Sequence, residues 1–357
     1  MIAVAKNINP KIEGEYGLTV YQEKIQLAKR ELGRSVVNIS ENIKSNENDP
    51  IFYGVKDTPT IPEIFLERLQ RKEKYIQLTI DKASDKGRAI DTDLINPITY
   101  RVMTGSTSGG PINILKGINN FAIGTDGGGS VLAPAISCQL PSIMAAGLGM
   151  QVNHTKTSTD GISFSGSVGV IGKNIFQIKK VIEIMLAEKL SDHIPSQLNI
   201  AIPKKDSLIR PDGIDMHTIV MKYLSLLTNI DLNILEVDLS GIDDRKIAIQ
   251  KMKKCFKKAD IILTCEGPVD VYGYGETIPQ MFGKTGKYIT QNHGKYFIRA
   301  ANMNRATAVS IPIDELSSGL VVYAPEGRKQ GAKAIQLASQ LEKVIQLPEV
   351  WIRYFLE

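Results

Sequence analysis

The chain has 357 residues, 43% of them hydrophobic and 23% charged, close to the average for folded soluble proteins. That balance excludes wholesale disorder, a collagen-like repeat and a small disulfide-stapled scaffold. Lys and Arg number 43 against 38 Asp and Glu, and a net charge of +5 diluted over this length is not the concentrated basic face of a nucleic-acid binder.

In chain order, residues 1–17 hold no apolar run long enough for a signal peptide. Val20 to Leu32 carries apolar residues at three- and four-residue spacing and is expected to be helical. A turn-rich loop from Ser45 to Pro50 precedes a β-like run, Ile51 to Val55, that ends at Lys56-Asp57. Pro62 to Lys72 reads as a helix opened by a proline, and Tyr75 to Ile80 as a strand. Gly and Ser then cluster twice, as GSTSGG (Gly105 to Gly110) and GTDGGGS (Gly124 to Ser130), with a short helix and the strand Phe121 to Ile123 between them. A small, apolar stretch reaches Met150, and a Ser/Thr/Gly-rich loop is expected from Thr155 to Gly166.

The second half alternates regularly. Helices are expected over Asn174 to Lys189, His217 to Leu227, Lys246 to Lys258 and Lys329 to Ile345. Strands are expected over Leu198 to Ile202, Leu232 to Val237, Ile261 to Leu263, Ala306 to Ile313 and Leu320 to Tyr323. Strands alternating with helices argue an α/β sheet. The basic run KMKKCFKK (Lys251 to Lys258) reads as the solvated face of a helix with Met252, Cys255 and Phe256 turned inward.

Three cysteines (Cys138, Cys255, Cys265) lack CxxC spacing, and four histidines (His154, His193, His217, His293) lack HxxxH spacing. Neither a disulfide framework nor a metal centre is expected, and no cofactor motif stands out. No apolar run approaches the roughly 20 residues that span a bilayer. The expectation is a soluble protein of a reducing compartment, the cytoplasm, with no membrane or nucleic-acid partner.

A glycine run before a serine has a physical use. Glycines let successive backbone N–H groups converge into an anion hole. The anion can be a tetrahedral oxyanion, with Ser130 as nucleophile, or a phosphate, although neither glycine stretch matches a nucleotide-binding fingerprint. A serine nucleophile needs a base, and no histidine stands near these motifs. A lysine serves if burial lowers its pKa, and Lys56 follows an apolar run that would carry it inward.

These segments resemble the amidase signature family, the Ser-cisSer-Lys amidohydrolases. The family hallmark, approximately GGSSGG followed by GTDxGGSxRxPA, is matched here by GSTSGGPINILKGINNFAIGTDGGGSVLAPA, and the family's GxPxxVKD by FYGVKD. LTIDKAS, INPITYRVMTG, SVGVIGKNIFQI, DIILTCEGP, NMNRATAVSIPI and GLVVYAP resemble further family segments in the same order, from about Tyr21 to Leu341. The resemblance implies a single large α/β domain over residues 1–357, with a mixed central sheet covered by helices on both faces. It implies a serine amidohydrolase that cleaves a C–N amide bond in a small-molecule substrate. Ser130 would be the nucleophile and Lys56 the base. Ser106, which follows a cis peptide bond in the family pattern, would relay the proton between them. The 24-residue interval from Ser106 to Ser130 favours Ser106, while alignment on Gly109-Gly110 favours Thr107. The N–H groups of Gly127, Gly128, Gly129 and Ser130 would hold the oxyanion, and Asp126 and Ser108 would order the loops.

Two alternatives share this sequence: amide transfer by the same triad, with ammonia passed to a partner protein, and a non-catalytic paralogue that keeps the glycine loops. The family commonly has Arg two residues after the nucleophile, where this chain has Leu132, which weakens one route to a carboxylate-bearing substrate. Arg305 and Thr307 also depart from the pattern. The chain is shorter than most members in pocket-building parts, so the resemblance assigns no substrate-binding residue. Such trimming suggests self-association, as a homodimer, or a partner subunit.

Overall fold

The computed structural model describes residues 20–40, 49–158, 161–193, 197–228 and 230–356. The signal-peptide reading of residues 1–17 and most of the loop expected at Ser45 to Pro50 lie outside them. The strands are β1 (Val36–Ile39), β2 (Ile51–Lys56), β3 (Tyr75–Asp81), β4 (Ile90–Ile95), β5 (Val102–Thr104), β6 (Phe121–Asp126), β7 (Ser142–Met144), β8 (Gln151–Thr157), β9 (Ser163–Gly172), β10 (Gln197–Pro203), β11 (Asp231–Val237), β12 (Ile261–Glu266), β13 (Thr307–Pro312) and β14 (Gly319–Ala324). The helices are α1 (Val20–Arg30), α2 (Glu63–Gln70), α3 (Gly109–Leu115), α4 (Leu132–Ser137), α5 (Ile175–Leu186), α6 (Met216–Leu224), α7 (Arg245–Cys255), α8 (Gly283–Thr290), α9 (Arg328–Val344) and α10 (Glu349–Phe355).

Among the described residues, one mixed sheet runs β1-β3-β2-β6-β9-β7-β13-β14-β12-β10-β11, with β8 added on β9 and β4-β5 forming a separate ribbon. Its central strands are apolar throughout because both faces are covered. In β6, Phe121 and Ile123 join one buried cluster and Ala122 the other. Burying a side chain the size of Phe or Ile stabilises by about 1.5–3 kcal/mol. Helix α9 packs on β13 and β14 through Ala334, Ile335, Ala338 and Leu341, all fully buried. The expected α/β domain with a helix-flanked mixed sheet is therefore the observed one.

Most expected elements are present within a few residues. Asn174 caps α5 by accepting the N–H of Gln177, and Asp244 caps α7 by accepting that of Ile247. In α7, Met252 and Cys255 turn inward and Phe256, just past its end, is half-buried, while Lys253, Lys254, Lys257 and Lys258 are exposed. One expectation fails. The loop from Thr155 to Gly166 is largely the hairpin β8–β9, with Thr155 paired to Ser165 and Thr157 to Ser163. From Asn153 to Thr157 the strand is exposed, so it carries none of the apolar alternation that marks a half-buried strand. No helix among the described residues is long and apolar enough to cross a membrane.

Candidate active site

Strands β2 and β6 are parallel neighbours, with Tyr53 opposite Phe121 and Val55 opposite Ile123. Lys56 and the pair Thr125-Asp126 therefore end up side by side at the carboxyl ends of two adjacent strands, where open α/β sheets usually bind ligands. The apolar run of β2 carries Lys56 inside, leaving it 5% exposed. Its Nζ donates to Ser106 Oγ at 2.7 Å and approaches Thr125 Oγ1 at 3.2 Å and the Thr125 carbonyl at 3.4 Å. Among the described residues it forms no ion pair. Burial pulls its pKa down to about 7; Asp126 pulls it back up and Lys156 pushes it further down.

Ser106 follows a cis Gly105–Ser106 bond, as the resemblance implied. Gly105 has no room for a side chain, since a Cβ there would lie 2.4 Å from the Arg88 carbonyl. The Ser106 carbonyl accepts the N–H of Ser84 at 3.0 Å, and the N–H of Thr107 donates to the Ser130 carbonyl at 3.1 Å, which ties the two serine loops together. Thr107 Oγ1 is buried with no partner and packs where a Cβ on Gly124 would sit. The hydroxyl beside Lys56 is thus that of Ser106. Ser108 donates to Asp91 at 2.6 Å and anchors the loop.

The second loop wraps around a carboxylate. Asp126 Oδ1 accepts the N–H of Gly129 at 2.8 Å, and Oδ2 accepts those of Val131 at 2.7 Å and Leu132 at 3.3 Å. Gly129 sits at φ +100°, a conformation that glycine adopts without penalty. These contacts correct one expectation: the Gly129 N–H is already spent on Asp126, which leaves Gly127, Gly128 and Ser130 as oxyanion donors. None of those three N–H groups meets an acceptor among the described residues. Ser130 Oγ likewise makes no hydrogen bond, so the expected Ser106–Ser130 link is not closed in this resting state. Catalytic hydrogen bonds commonly tighten only once substrate is bound.

Lys56, Ser106 and Gly127 to Ser130 all line one cavity of about 570 Å³. Its far wall holds residues that sequence reasoning missed: Arg245 from α7, and His293, Lys295 and Arg299 from the segment before β13. These lie more than 110 residues beyond Ser130 and carry no motif of their own. Thr125, beside Lys56, was also missed, although its place in GTD next to Asp126 marked it. Leu132, at the position where the family has Arg, is fully buried in α4 and takes no part in the cavity.

No family model matches the chain. It is 39% identical over 79 residues to a fatty acid amide hydrolase from Medicago truncatula, which is 22% of this chain and 12% of that protein. It is 35% identical over 113 residues to Amidase 1 of Arabidopsis thaliana, 30% of this chain and 25% of the relative. The matches therefore span a quarter or less of these relatives' lengths. Among solved structures, the amidase-like component of the glutamyl-tRNA(Gln) amidotransferase from Thermotoga maritima superposes with a TM-score of 0.63 at 15% identity, covering 93% of this chain and 96% of that one. The local sequence matches, the shared architecture and the glycine-serine loops beside a buried lysine together identify the chain as a divergent member of the amidase signature family.

Proposed function

We propose that the protein is a serine amidohydrolase that cleaves a C–N amide bond through an acyl-enzyme on Ser130. The observation that carries this reading is the buried Lys56, free of any carboxylate partner and held 2.7 Å from Ser106 on the floor of the cavity that Ser130 lines. Neutral Lys56 takes the proton of Ser106 Oγ, which takes that of Ser130 Oγ as the latter bonds to the amide carbonyl carbon. The carbonyl electron pair moves onto oxygen and is held by the N–H groups of Gly127, Gly128 and Ser130; one such donor is typically worth about 3–4 kcal/mol. The relay then returns the proton to the nitrogen as the C–N bond breaks, and water releases the acyl group by the reverse path.

The test is intact-mass spectrometry with an uncharged fluorophosphonate, followed by a panel of small amides. A single adduct on Ser130, and turnover that disappears in Ser130→Ala, are expected. Turnover surviving in that variant would remove Ser130 as nucleophile. A second reading, amide transfer with ammonia handed to a partner protein, is favoured by the likeness to an amidotransferase component; free ammonia as the sole nitrogen product, with no acceptor needed, would decide against it. The three cysteines are free and buried, in keeping with a reducing, cytoplasmic setting.

A further inference from the structure

The amide reaction leaves the rest of the substrate unspecified, and the far wall of the cavity supplies the missing chemistry. Arg245 opens α7 directly after its capping Asp244. Its guanidinium lies against the Ser130 loop, with Nη2 3.7 Å from where a Cβ on Gly128 would be. Arg299 Nη1 donates to the Asp243 carbonyl at 2.9 Å and stands 3.1 Å from His293 Nε2.

The histidine makes that contact informative. His293 Nδ1 accepts the backbone N–H of Lys295 at 2.9 Å. A neutral imidazole has one accepting nitrogen, so Nε2 carries the proton and faces a guanidinium, which is also only a donor. Two donors thus confront each other in a cavity wall with no acceptor between them. Burial, together with Arg299, Lys295 and Arg245, holds the ring well below its usual pKa, in keeping with a neutral imidazole among cations.

The carboxylates of the cavity are engaged elsewhere. Asp126 is occupied by its own loop, Glu276 accepts from Arg88 at 3.1 Å and from the N–H of Thr277 at 2.9 Å, and Asp57 is exposed. The buried Lys295 is balanced by Asp270 at 2.6 Å. Arg245 and Arg299 therefore give this wall a positive character that the lining carboxylates do not offset.

We propose that the substrate amide carries a carboxylate, which sits between Arg245, Arg299 and the Nε2–H of His293 while its amide carbonyl meets Ser130. The inference rests on the amidohydrolase reading and names its substrate class. Leu132 removes the family's cation beside the nucleophile, and the opposite wall provides another. The two residues from Gly128 to Ser130 span at most about 7 Å, so carboxylate and amide are separated by a short spacer of about two to four carbons. A monoamide of a small dicarboxylic acid fits that description.

The test is protection of Ser130 from an uncharged fluorophosphonate, read by intact mass, with glutaramate and its neutral diamide as competitors. In the wild type glutaramate should protect at a concentration at least about tenfold below the diamide, as expected for a charge-assisted contact. That ratio should fall toward one in Arg245→Met/Arg299→Met and be largely kept in Arg245→Lys/Arg299→Lys. Using the ratio within each variant removes any change in labelling rate. Equal protection by the two compounds in the wild type, or a ratio unmoved in the Met variant, overturns the inference and leaves the amidohydrolase reading standing. Absence of any adduct on Ser130 overturns both.

Discussion

The floor and the wall of the cavity each hold a buried lysine, and the two have different surroundings. Lys56 on the floor is 5% exposed and Lys295 on the wall 3% exposed. Lys295 meets Asp270 Oδ2 at 2.6 Å, and that carboxylate also accepts from Thr104 Oγ1 at 2.7 Å and from the N–H of Gly275 at 2.9 Å. Lys56 meets two hydroxyls and a carbonyl, which do not hold a proton on it as a carboxylate would. Burial alone therefore does not make a lysine a base. The partner decides: a carboxylate fixes the cation, whereas hydroxyls leave desolvation free to favour the neutral amine.

Five substitutions break or sharpen that contrast. Ser130→Ala should reduce amide turnover by at least about 10⁴-fold, measured under saturating substrate with folding checked by circular dichroism. Lys56→Met and Ser106→Ala should each reduce it by about 10²–10⁴-fold, since each interrupts the proton path. On the wall, Lys295→Met should act mainly on stability. It strands the Asp270 carboxylate and should cost about 3–5 kcal/mol in urea unfolding, with part of the loss recovered in Lys295→Met/Asp270→Asn.

Making the floor resemble the wall gives a smaller, more specific effect. Thr125→Asp puts a carboxylate beside Lys56 and should raise its pKa by about 1–3 units, so activity at neutral pH falls and returns at higher pH. The smallest effect is expected from Thr107→Val, whose hydroxyl has no partner to lose. Turnover should stay within about threefold and stability should be unchanged or slightly higher, because an unpaired buried hydroxyl is itself a cost. A large loss on Thr107→Val would return the relay to Thr107.

The contrast also shows which parts of the molecule can be read from sequence. Lys56, Ser106 and Ser130 announce themselves because their chemistry depends on contiguous glycines and on one apolar strand, β2. Nothing near Lys295 does, since Asp270 reaches it from a separate segment. Arg245 and Arg299 likewise reach the cavity only through the packing of α7 and of the turn before β13. For the fold, strands buried on both faces, such as β13 and β14, stood out as apolar runs. Short β1, β4 and β5 went unread. So did α8, whose GKTGKYIT carries two glycines and little apolar periodicity, and α10. The donor role assigned to Gly129 failed for a local reason, because three loop N–H groups compete for the Asp126 carboxylate.

The most direct test of the central claim, that neutral Lys56 activates Ser130 through Ser106, is the pH dependence of Ser130 labelling in the wild type. Lys56 can take a proton only when neutral, and burial brings its pKa from the ordinary 10.5 down to about 7. The labelling rate, followed by intact mass from about pH 5 to about pH 9, should therefore rise about tenfold per pH unit on the acid side and level off above about pH 7–8. A rate that is flat across this range, or that still climbs toward 10.5 as for an exposed lysine, would contradict the account.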